Sequence, residues 1–138
     1  MVDVLFIHPG GQKEIYQELS CNLTAICPPV YTLLLANYVR REGYTVGVYD
    51  CNIEGWNNFK IEVVINRYEP ELIIIWVDGH HPSASTQTMP IAGQIAKDIK
   101  TIYPDIPIAM GGIHPSALPE KTLKEEAFIY LIPGEGFI

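Results

Sequence analysis

Four histidines are the residues of this sequence best suited to chemistry, because imidazole can bind a metal, move a proton or hydrogen-bond a ligand near neutral pH. Each lies just beyond an apolar run that is typical of a buried β-strand. His8 follows residues 2–7, His80 and His81 follow residues 72–77, and His114 follows residues 106–110. Ligands of open α/β sheets bind outside the carboxyl ends of the strands. The histidines therefore predict a binding site at one edge of a sheet.

A metal ion is one ligand that these residues could hold. The run 78–81 offers the carboxylate of Asp78 and two imidazoles, and His8 or His114 could complete a set of oxygen and nitrogen ligands. Adjacent histidines rarely aim both rings at one ion, however, and the sequence has no His-x3-His or Cys-x2-Cys spacing. A metal site built from protein side chains alone is therefore the less favoured interpretation.

Two glycine pairs lie in the same predicted region. Gly111 and Gly112 come directly after the fourth apolar run, and His114 follows them. Residues without a Cβ let a bulky ligand approach the backbone, although an ordinary tight turn would also use them. We favour the ligand interpretation because polar residues follow at once. Gly10 and Gly11 do not fit the pattern Gly-x-Gly-x-x-Gly, so the dinucleotide fingerprint is absent.

Asp50 and the cysteines give weaker signals. Asp50 ends the second apolar run, and without the glycine fingerprint we expect it to cap a helix or a turn rather than to bind a ribose. Cys21, Cys27 and Cys51 lack the spacing of a zinc knuckle or a redox pair, so packed or idle thiols are expected. Their odd number, and a start that enters a strand at once, predict a cytoplasmic protein.

Alternating strands and helices must position these residues. Strands are predicted at residues 2–7, 45–49, 72–77, 106–110 and 128–132, and helices from Pro28-Pro29 to a stop at Gly43 and at residues 59–68, 89–103 and 118–126. The pattern predicts an α/β fold with a doubly wound, five-stranded parallel sheet of the flavodoxin-like or Rossmann-like kind. The order 2-1-3-4-5 would make strands 1, 3 and 4 neighbours and bring their histidines into one crevice. The long connection 12–27 is either a lid over that crevice or a surface excursion.

Size and charge limit the function classes. The 138 residues, 48% of them hydrophobic, predict a single domain over residues 1–138. The net charge of −7, with only nine Lys and Arg, leaves no basic stripe, so nucleic acid is not expected as a partner. No apolar stretch approaches the roughly 20 residues that span a bilayer, so no membrane partner is expected.

Several stretches of the chain share a resemblance to one known family. They are VLFIHP at 4–9, the Pro28-Pro29 helix start, RREGYTV at 40–46 with Asp50, PELIII at 70–75, and a block that contains YPDIPI at 103–108, GGIHPS at 111–116, LPE at 118–120 and GEG at 134–136. Together they resemble the N-terminal cobalamin-binding domain of B12-dependent radical S-adenosylmethionine enzymes. The resemblance covers essentially the whole chain, and its last block is the most specific.

This resemblance implies a flavodoxin-like sheet with a cobalamin across the carboxyl ends of its strands. The nucleotide tail of the cofactor would enter between the loops after strands 1, 3 and 4. Carried over position by position, the cofactor-binding residues would be Gly10, Gly11, Val77, Asp78, Gly79, His80, Gly111, Gly112, Ile113, His114, Gly134, Glu135 and Gly136. Glycine-rich exits would let the corrin lie against backbone N–H groups.

The chain also departs from that family. It lacks the Asp-x-His-x-x-Gly motif that donates a histidine to cobalt, so cobalt would have no such ligand unless His8 or His80 replaces it. After strand 3, where the family often has a small hydroxyl residue, the chain has Trp76. It also lacks the Cys-x3-Cys-x2-Cys triplet for a [4Fe–4S] cluster and stops where the linker to a catalytic barrel would begin. An iron–sulfur cluster is therefore not expected in this chain, and the chain alone is expected to be non-catalytic.

The leading hypothesis is a cobalamin-binding module of a B12-dependent radical S-adenosylmethionine enzyme, for example a methyltransferase, with its catalytic domain in cis or in trans. One alternative is an α/β module without cobalamin that binds a partner domain, a metal or another small ligand. Another is a small metal-dependent enzyme or hydrolase, in which His80, His81, His114 and Asp78 would do the chemistry.

Overall fold

The fold is a parallel sheet with helices on both faces. The computed structural model describes residues 1–11, 27–78, 82–125 and 130–136. In these ranges five strands form one sheet in the order β2-β1-β3-β4-β5, and every neighbouring pair is parallel. The strands are β1 (Val2–His8), β2 (Val46–Asp50), β3 (Pro70–Val77), β4 (Ile108–Gly112) and β5 (Tyr130–Ile132). The predicted fold class and strand order are confirmed.

The helices connect successive strands. They are α1 (Val30–Arg41), α2 (Cys51–Glu54), α3 (Asn58–Tyr68), α4 (Pro82–Ile102), α5 (Ile113–Ala117) and α6 (Pro119–Glu125). Because the strands are parallel, a helix that follows a strand begins near the carboxyl edge of the sheet and runs back along it. The N-termini of α1 and α4 therefore lie near the edge where β1 and β3 end.

Two apolar clusters hold the layers together. On one face, Ile61 of α3 and Ile95 and Ile99 of α4 pack against the fully buried Ile7 and Ile75 of the sheet. On the other face, Leu35 and Ala36 of α1 pack with Phe6, Ile74 and Trp76. Each fully buried isoleucine contributes roughly 2 kcal/mol relative to an exposed one, so the central strands carry much of the stability. No helix in the described ranges combines the length and the apolar character needed to cross a bilayer.

Two elements differ from the prediction in ways that affect the site. Helix α4 begins at Pro82, whereas the apolar period predicts a start at residue 89. The first two turns show no apolar stripe, because hydroxyl side chains take the buried positions. Ser85 and Thr88 are buried there, and Thr88 Oγ1 donates to the carbonyl of Ala84. Strand β4 runs through Gly112 rather than ending at residue 110, because Gly111 and Gly112 pair with the last residues of β3. Most of the connection 12–27, predicted as a lid or an excursion, lies outside the described residues.

Candidate functional site at the carboxyl edge of the sheet

The candidate site is the edge at which the strands end. His8 is the last residue of β1, Asp50 the last of β2 and Gly112 the last of β4, while Asp78 follows β3 directly. Because β1, β3 and β4 are neighbours, the sheet brings these positions together as the predicted topology requires.

His8 is held by two neighbours from adjacent strand exits. Its Nε2 lies 3.2 Å from Nδ2 of Asn52, and its Nδ1 lies 3.3 Å from Oδ1 of Asp78. The amide nitrogen of Asn52 can only donate, so Nε2 accepts and the ring proton is assigned to Nδ1, facing Asp78. The approach to Asp78 is within ion-pair range but does not have the geometry of a hydrogen bond. Both ring nitrogens of His8 therefore already face protein groups.

Asp50 caps the helix that follows it. Its side chain is the N-cap of α2, and Oδ1 accepts a hydrogen bond of 2.9 Å from the backbone N–H of Asn52. This confirms the capping role that the sequence predicts. The same turn carries Asn52 to His8, so the cap also fixes the amide that holds the histidine ring.

Three polar atoms near this edge are buried and lack a hydrogen-bond partner among the described residues. They are Nδ1 of His8, Oδ2 of Asp50 and Oγ1 of Thr32, a side chain that is 0% exposed in the first turn of α1. Helical side chains lean toward the N-terminus of their helix, which directs Thr32 toward the carboxyl edge. Each unpaired buried polar group costs about 1–3 kcal/mol, which a ligand or a water that completed its hydrogen bonds would recover.

His114 is held from a different side. It lies in α5, directly after β4, and its Nδ1 is 2.8 Å from Oγ1 of Thr86 in α4. Its backbone N–H donates to the hydroxyl of Ser85 over 3.1 Å, and that hydroxyl donates to the carbonyl of Val77 over 3.1 Å. Ile113, the neighbouring predicted contact, is exposed. The sequence predicts that the histidines converge, but no contact among the described residues joins His114 to His8.

Several predicted site glycines lie directly against other atoms of the protein. A Cβ on Gly111 would lie 2.3 Å from Cζ3 of Trp76, and a Cβ on Gly136 would lie 3.0 Å from the same ring. A Cβ on Gly112 would lie 1.9 Å from the carbonyl oxygen of Val77, and one on Gly10 would lie 2.7 Å from Oδ1 of Asn52. The physical reason for these glycines is therefore close packing within the protein, which leaves their backbone groups as the possible ligand contacts.

Two further glycines at this edge, Gly11 and Gly134, differ from these. Gly11 is buried with φ +109°, in the region that favours glycine. Gly134, with φ +76°, has nothing within 4 Å of its Cβ position. Gly134 therefore leaves open space beside the exit from β5, next to Glu135.

Trp76 is the residue whose importance the sequence analysis missed. Its ring stacks on Tyr31 of α1 with the ring centroids 5.7 Å apart and 12° between the planes. The hydroxyl of Tyr31 donates to the carbonyl of Glu135 over 2.8 Å, which ties the turn after β5 to the first turn of α1. Partial burial, and then the nearby Glu135, raise the pKa of Tyr31. This packing follows from the register that pairs Trp76 with Gly111. The register can be predicted only once the strand order is known.

Some predicted residues and sites are not brought together here. Gly79, His80 and His81 lie outside the described residues. Among the residues the structure describes, no group of three histidine, cysteine or acidic side chains could hold a metal ion. Cys27 is exposed and Cys51 is buried, both as free thiols, and burial raises the pKa of Cys51. Cys21 also lies outside the described ranges.

Comparison with known proteins gives a consistent result. The family model described as "B12 binding domain" matches residues 21–137. The anaerobic magnesium-protoporphyrin IX monomethyl ester cyclase of Rubrivivax gelatinosus is 27% identical over 135 residues, which is 96% of this chain and 22% of the relative. An uncharacterised methyltransferase of Pyrococcus horikoshii is 31% identical over 110 residues, which is 79% of this chain and 22% of the relative.

A solved structure has the same fold. It is the radical S-adenosylmethionine methyltransferase TsrM from Kitasatospora setae, with cobalamin and a [4Fe–4S] cluster bound. The likeness has a TM-score of 0.70 at 19% identity and covers 96% of this chain and 22% of that chain. The chain thus spans about a fifth of the length of each of these proteins.

Proposed function

We propose, from the premise that this chain belongs to the B12 binding domain family, that it binds cobalamin at the carboxyl edge of its sheet. The observation that carries the proposal is the family match over residues 21–137, which includes the strand exits from Asp50 to Gly136. The open α/β topology supports this location, because ligands of such sheets bind where the strand order reverses, here between β1 and β3.

The residues at this edge fit such a ligand. The rim of a corrin carries carboxamides, which both donate and accept hydrogen bonds. Oδ2 of Asp50 and the hydroxyl of Thr32 have no hydrogen-bond partner among the described residues. The carboxylate oxygen can accept from an amide N–H, and the hydroxyl can donate or accept. Backbone groups of the turn 134–136 lie beside open space at Gly134. When bound, cobalamin would supply a cobalt centre that can carry a methyl group, and the protein would supply shape, orientation and protection from water.

The contacts carried over from the family remain part of this proposal. They are Gly10, Gly11, Val77, Asp78, Gly79, His80, Gly111, Gly112, Ile113, His114, Gly134, Glu135 and Gly136. Among the described members of this set, Ile113, Gly134 and Glu135 are exposed and His114 is half-buried, so these residues are accessible to a ligand.

The wider role is also a proposal. We infer that the chain acts as the cobalamin module of a radical S-adenosylmethionine enzyme, with the catalytic domain in the same polypeptide or in a partner. The support is that the relatives it matches are about five times longer and include a methyltransferase solved with cobalamin and an iron–sulfur cluster. We further propose that it works in the cytoplasm, without nucleic acid or membrane as partners, in line with its charge of −7 and its odd number of cysteines.

The test is an absorbance titration of the purified chain with hydroxocobalamin and with methylcobalamin. We expect saturable binding at micromolar concentrations or below. A matched pair of variants locates the site: Gly134→Trp extends a large ring beside the exit from β5, whereas Gly134→Asn introduces the same positive-φ strain with a small side chain. Binding that Trp weakens and Asn preserves supports the proposal, and a folded wild-type chain that binds neither cobalamin contradicts it.

A further inference from the structure

The two described histidines of the carboxyl edge differ in what their rings have left to offer. Nε2 of His8 lies against Asn52, its Nδ1 is buried and faces Asp78 without a hydrogen bond, and its side chain is only 12% exposed. His114 uses Nδ1 on Thr86, it is half-buried, and none of the described residues hydrogen-bonds its Nε2. A ligand at this edge could therefore reach Nε2 of His114, whereas at His8 one ring nitrogen already lies against Asn52 and the other is buried beside Asp78.

The backbone of His114 is fixed by a buried hydroxyl. Ser85 is 0% exposed, and its Oγ donates to the carbonyl of Val77 and accepts from the N–H of His114, each over 3.1 Å. The hydroxyl thus uses its O–H donor and one of its two acceptor lone pairs. This hydroxyl joins the end of β3, the start of α4 and the turn after β4 at a single point.

The turn that carries His114 is also held at its two ends. Gly112 leaves β4 with φ +121°, a conformation that favours glycine, and its Cα lies so close to Val77 that no Cβ would fit. Ser116 Oγ then donates to the carbonyl of Gly112 over 2.6 Å and lies 3.2 Å from the carbonyl of Gly134. The short helix α5 is therefore tied to β3, to β4 and to the turn after β5.

Thr86 adds control of the ring itself. The distance of 2.8 Å between its Oγ1 and Nδ1 of His114 fixes the direction of the imidazole, so that Nε2 is the nitrogen left for another molecule. Ordering a half-buried side chain costs conformational entropy. Because Thr86 already orders the ring, this cost does not reduce the affinity for a ligand. The arrangement of Ser85 and Thr86 is that of a preorganised binding group.

We propose that His114 contacts the bound ligand through Nε2, and that Ser85 and Thr86 are positioning residues that hold it for this contact. The proposal rests on the proposed function, since the ligand class is the carboxamide-bearing rim of a corrinoid. Nε2 can donate to or accept from a carboxamide, depending on the tautomer that Thr86 selects. Neither Ser85 nor Thr86 is among the residues that the family resemblance implies.

The experiment is a double-mutant cycle on hydroxocobalamin binding, followed by absorbance. We expect His114→Ala to weaken binding about tenfold, the effect of one lost hydrogen bond, and Thr86→Val to weaken it by a similar factor. Thr86→Ser keeps the hydroxyl and should bind like the wild type. Thr101→Val is the matched control, because Thr101 lies on the same helix and its exposed hydroxyl donates to the carbonyl of Lys97 within that helix.

The decisive result is non-additivity. If Thr86 acts by positioning the ring, Thr86→Val should have no further effect in the His114→Ala background. The 15N shift of Nε2 of His114 should also change when hydroxocobalamin binds to the wild type. Equal binding by His114→Ala and wild type, or independent and additive losses, would overturn the inference while leaving the proposed function intact. Failure of the wild type to bind any cobalamin would instead remove the proposed function itself.

Discussion

Trp76 and Gly111 are register partners on neighbouring strands, and the tryptophan ring fills the space that the glycine leaves. A Cβ on Gly111 would lie 2.3 Å from Cζ3 and 2.8 Å from Cε3 of the ring. Both rings of the stack, Trp76 and Tyr31, belong to the face of the sheet that α1 covers. Gly111 is thus part of the packing that fixes the site, beneath the exits that would contact a ligand.

Gly111→Ala should therefore destabilise the protein. A methyl group cannot fit beside a ring that is only 2% exposed, and overpacking of this kind costs about 1–3 kcal/mol. The free energy of unfolding in urea measures the effect. In a Trp76→Leu background the added methyl should cost clearly less. An equal cost in both backgrounds would show that the ring is not the obstacle.

Asp50→Ala should lower stability by about 1 kcal/mol, because the first turn of α2 loses its N-cap. Asp50→Asn keeps an oxygen that can accept from the N–H of Asn52, and it should preserve most of that stability. Urea unfolding of both variants makes the comparison. If Asn and Ala destabilise equally, the carboxylate charge rather than the cap is what matters.

The sheet could be predicted because its central strands are apolar on both faces. Ile7 and Ile75 are fully buried, and strands of this kind are visible in the sequence as short continuous apolar runs, which predict the strand positions and the α/β class. The start of α4 could not be predicted, because Ser85 and Thr88 are buried through hydroxyl hydrogen bonds and show no apolar period. Local sequence patterns carry no information about such tertiary contacts.

The sequence predicts a candidate site at the carboxyl edge, and the structure gives some of its residues a different physical role. The placement of polar residues after β1, β3 and β4 predicts this edge, and Asp50 caps a helix as expected. The sequence alone favours space for a ligand at the glycines, whereas in the structure a Cβ on Gly111 or on Gly136 would meet the ring of Trp76. Which side chain fills the space above a glycine depends on the register between strands that are distant in sequence, here β3 and β4.

Acid should remove one surface interaction at the start of β1. The hydroxyl of Thr45, and then its backbone N–H, hydrogen-bond the carboxylate of Asp3 and lower its pKa below the ordinary 3.8. A lowered folded-state pKa stabilises the protein above the unfolded value, and this stabilisation is lost as pH falls through the folded value. Asp3→Asn should therefore be less stable than wild type at about pH 6, with the gap closing toward about pH 3. A gap that does not change with pH in urea unfolding would contradict the role of the carboxylate charge.

Cys51 should resist alkylation in the folded protein while Cys27 reacts. Burial, together with the nearby Asp50, raises the pKa of the Cys51 thiol, so little thiolate forms, whereas Cys27 is exposed. Treatment with iodoacetamide at about pH 8, followed by peptide mass spectrometry, should show Cys27 modified at least about tenfold faster. In urea the two rates should become similar. Fast modification of Cys51 without denaturant would mean that α2 opens readily.

His8 should not be a ligand of cobalt when the chain binds a corrinoid. Its Nε2 accepts from the amide of Asn52 and its Nδ1 is buried beside Asp78, so binding cobalt would require breaking that hydrogen bond or moving Asp78 away. Cob(II)inamide is the appropriate probe, because it lacks the nucleotide base and any nitrogen splitting in its electron paramagnetic resonance spectrum must come from the protein. The wild type and His8→Asn should give the same spectrum, while the variant loses stability in urea. Nitrogen splitting that disappears in His8→Asn would assign the ligand to His8, and splitting that persists would direct the search to His80.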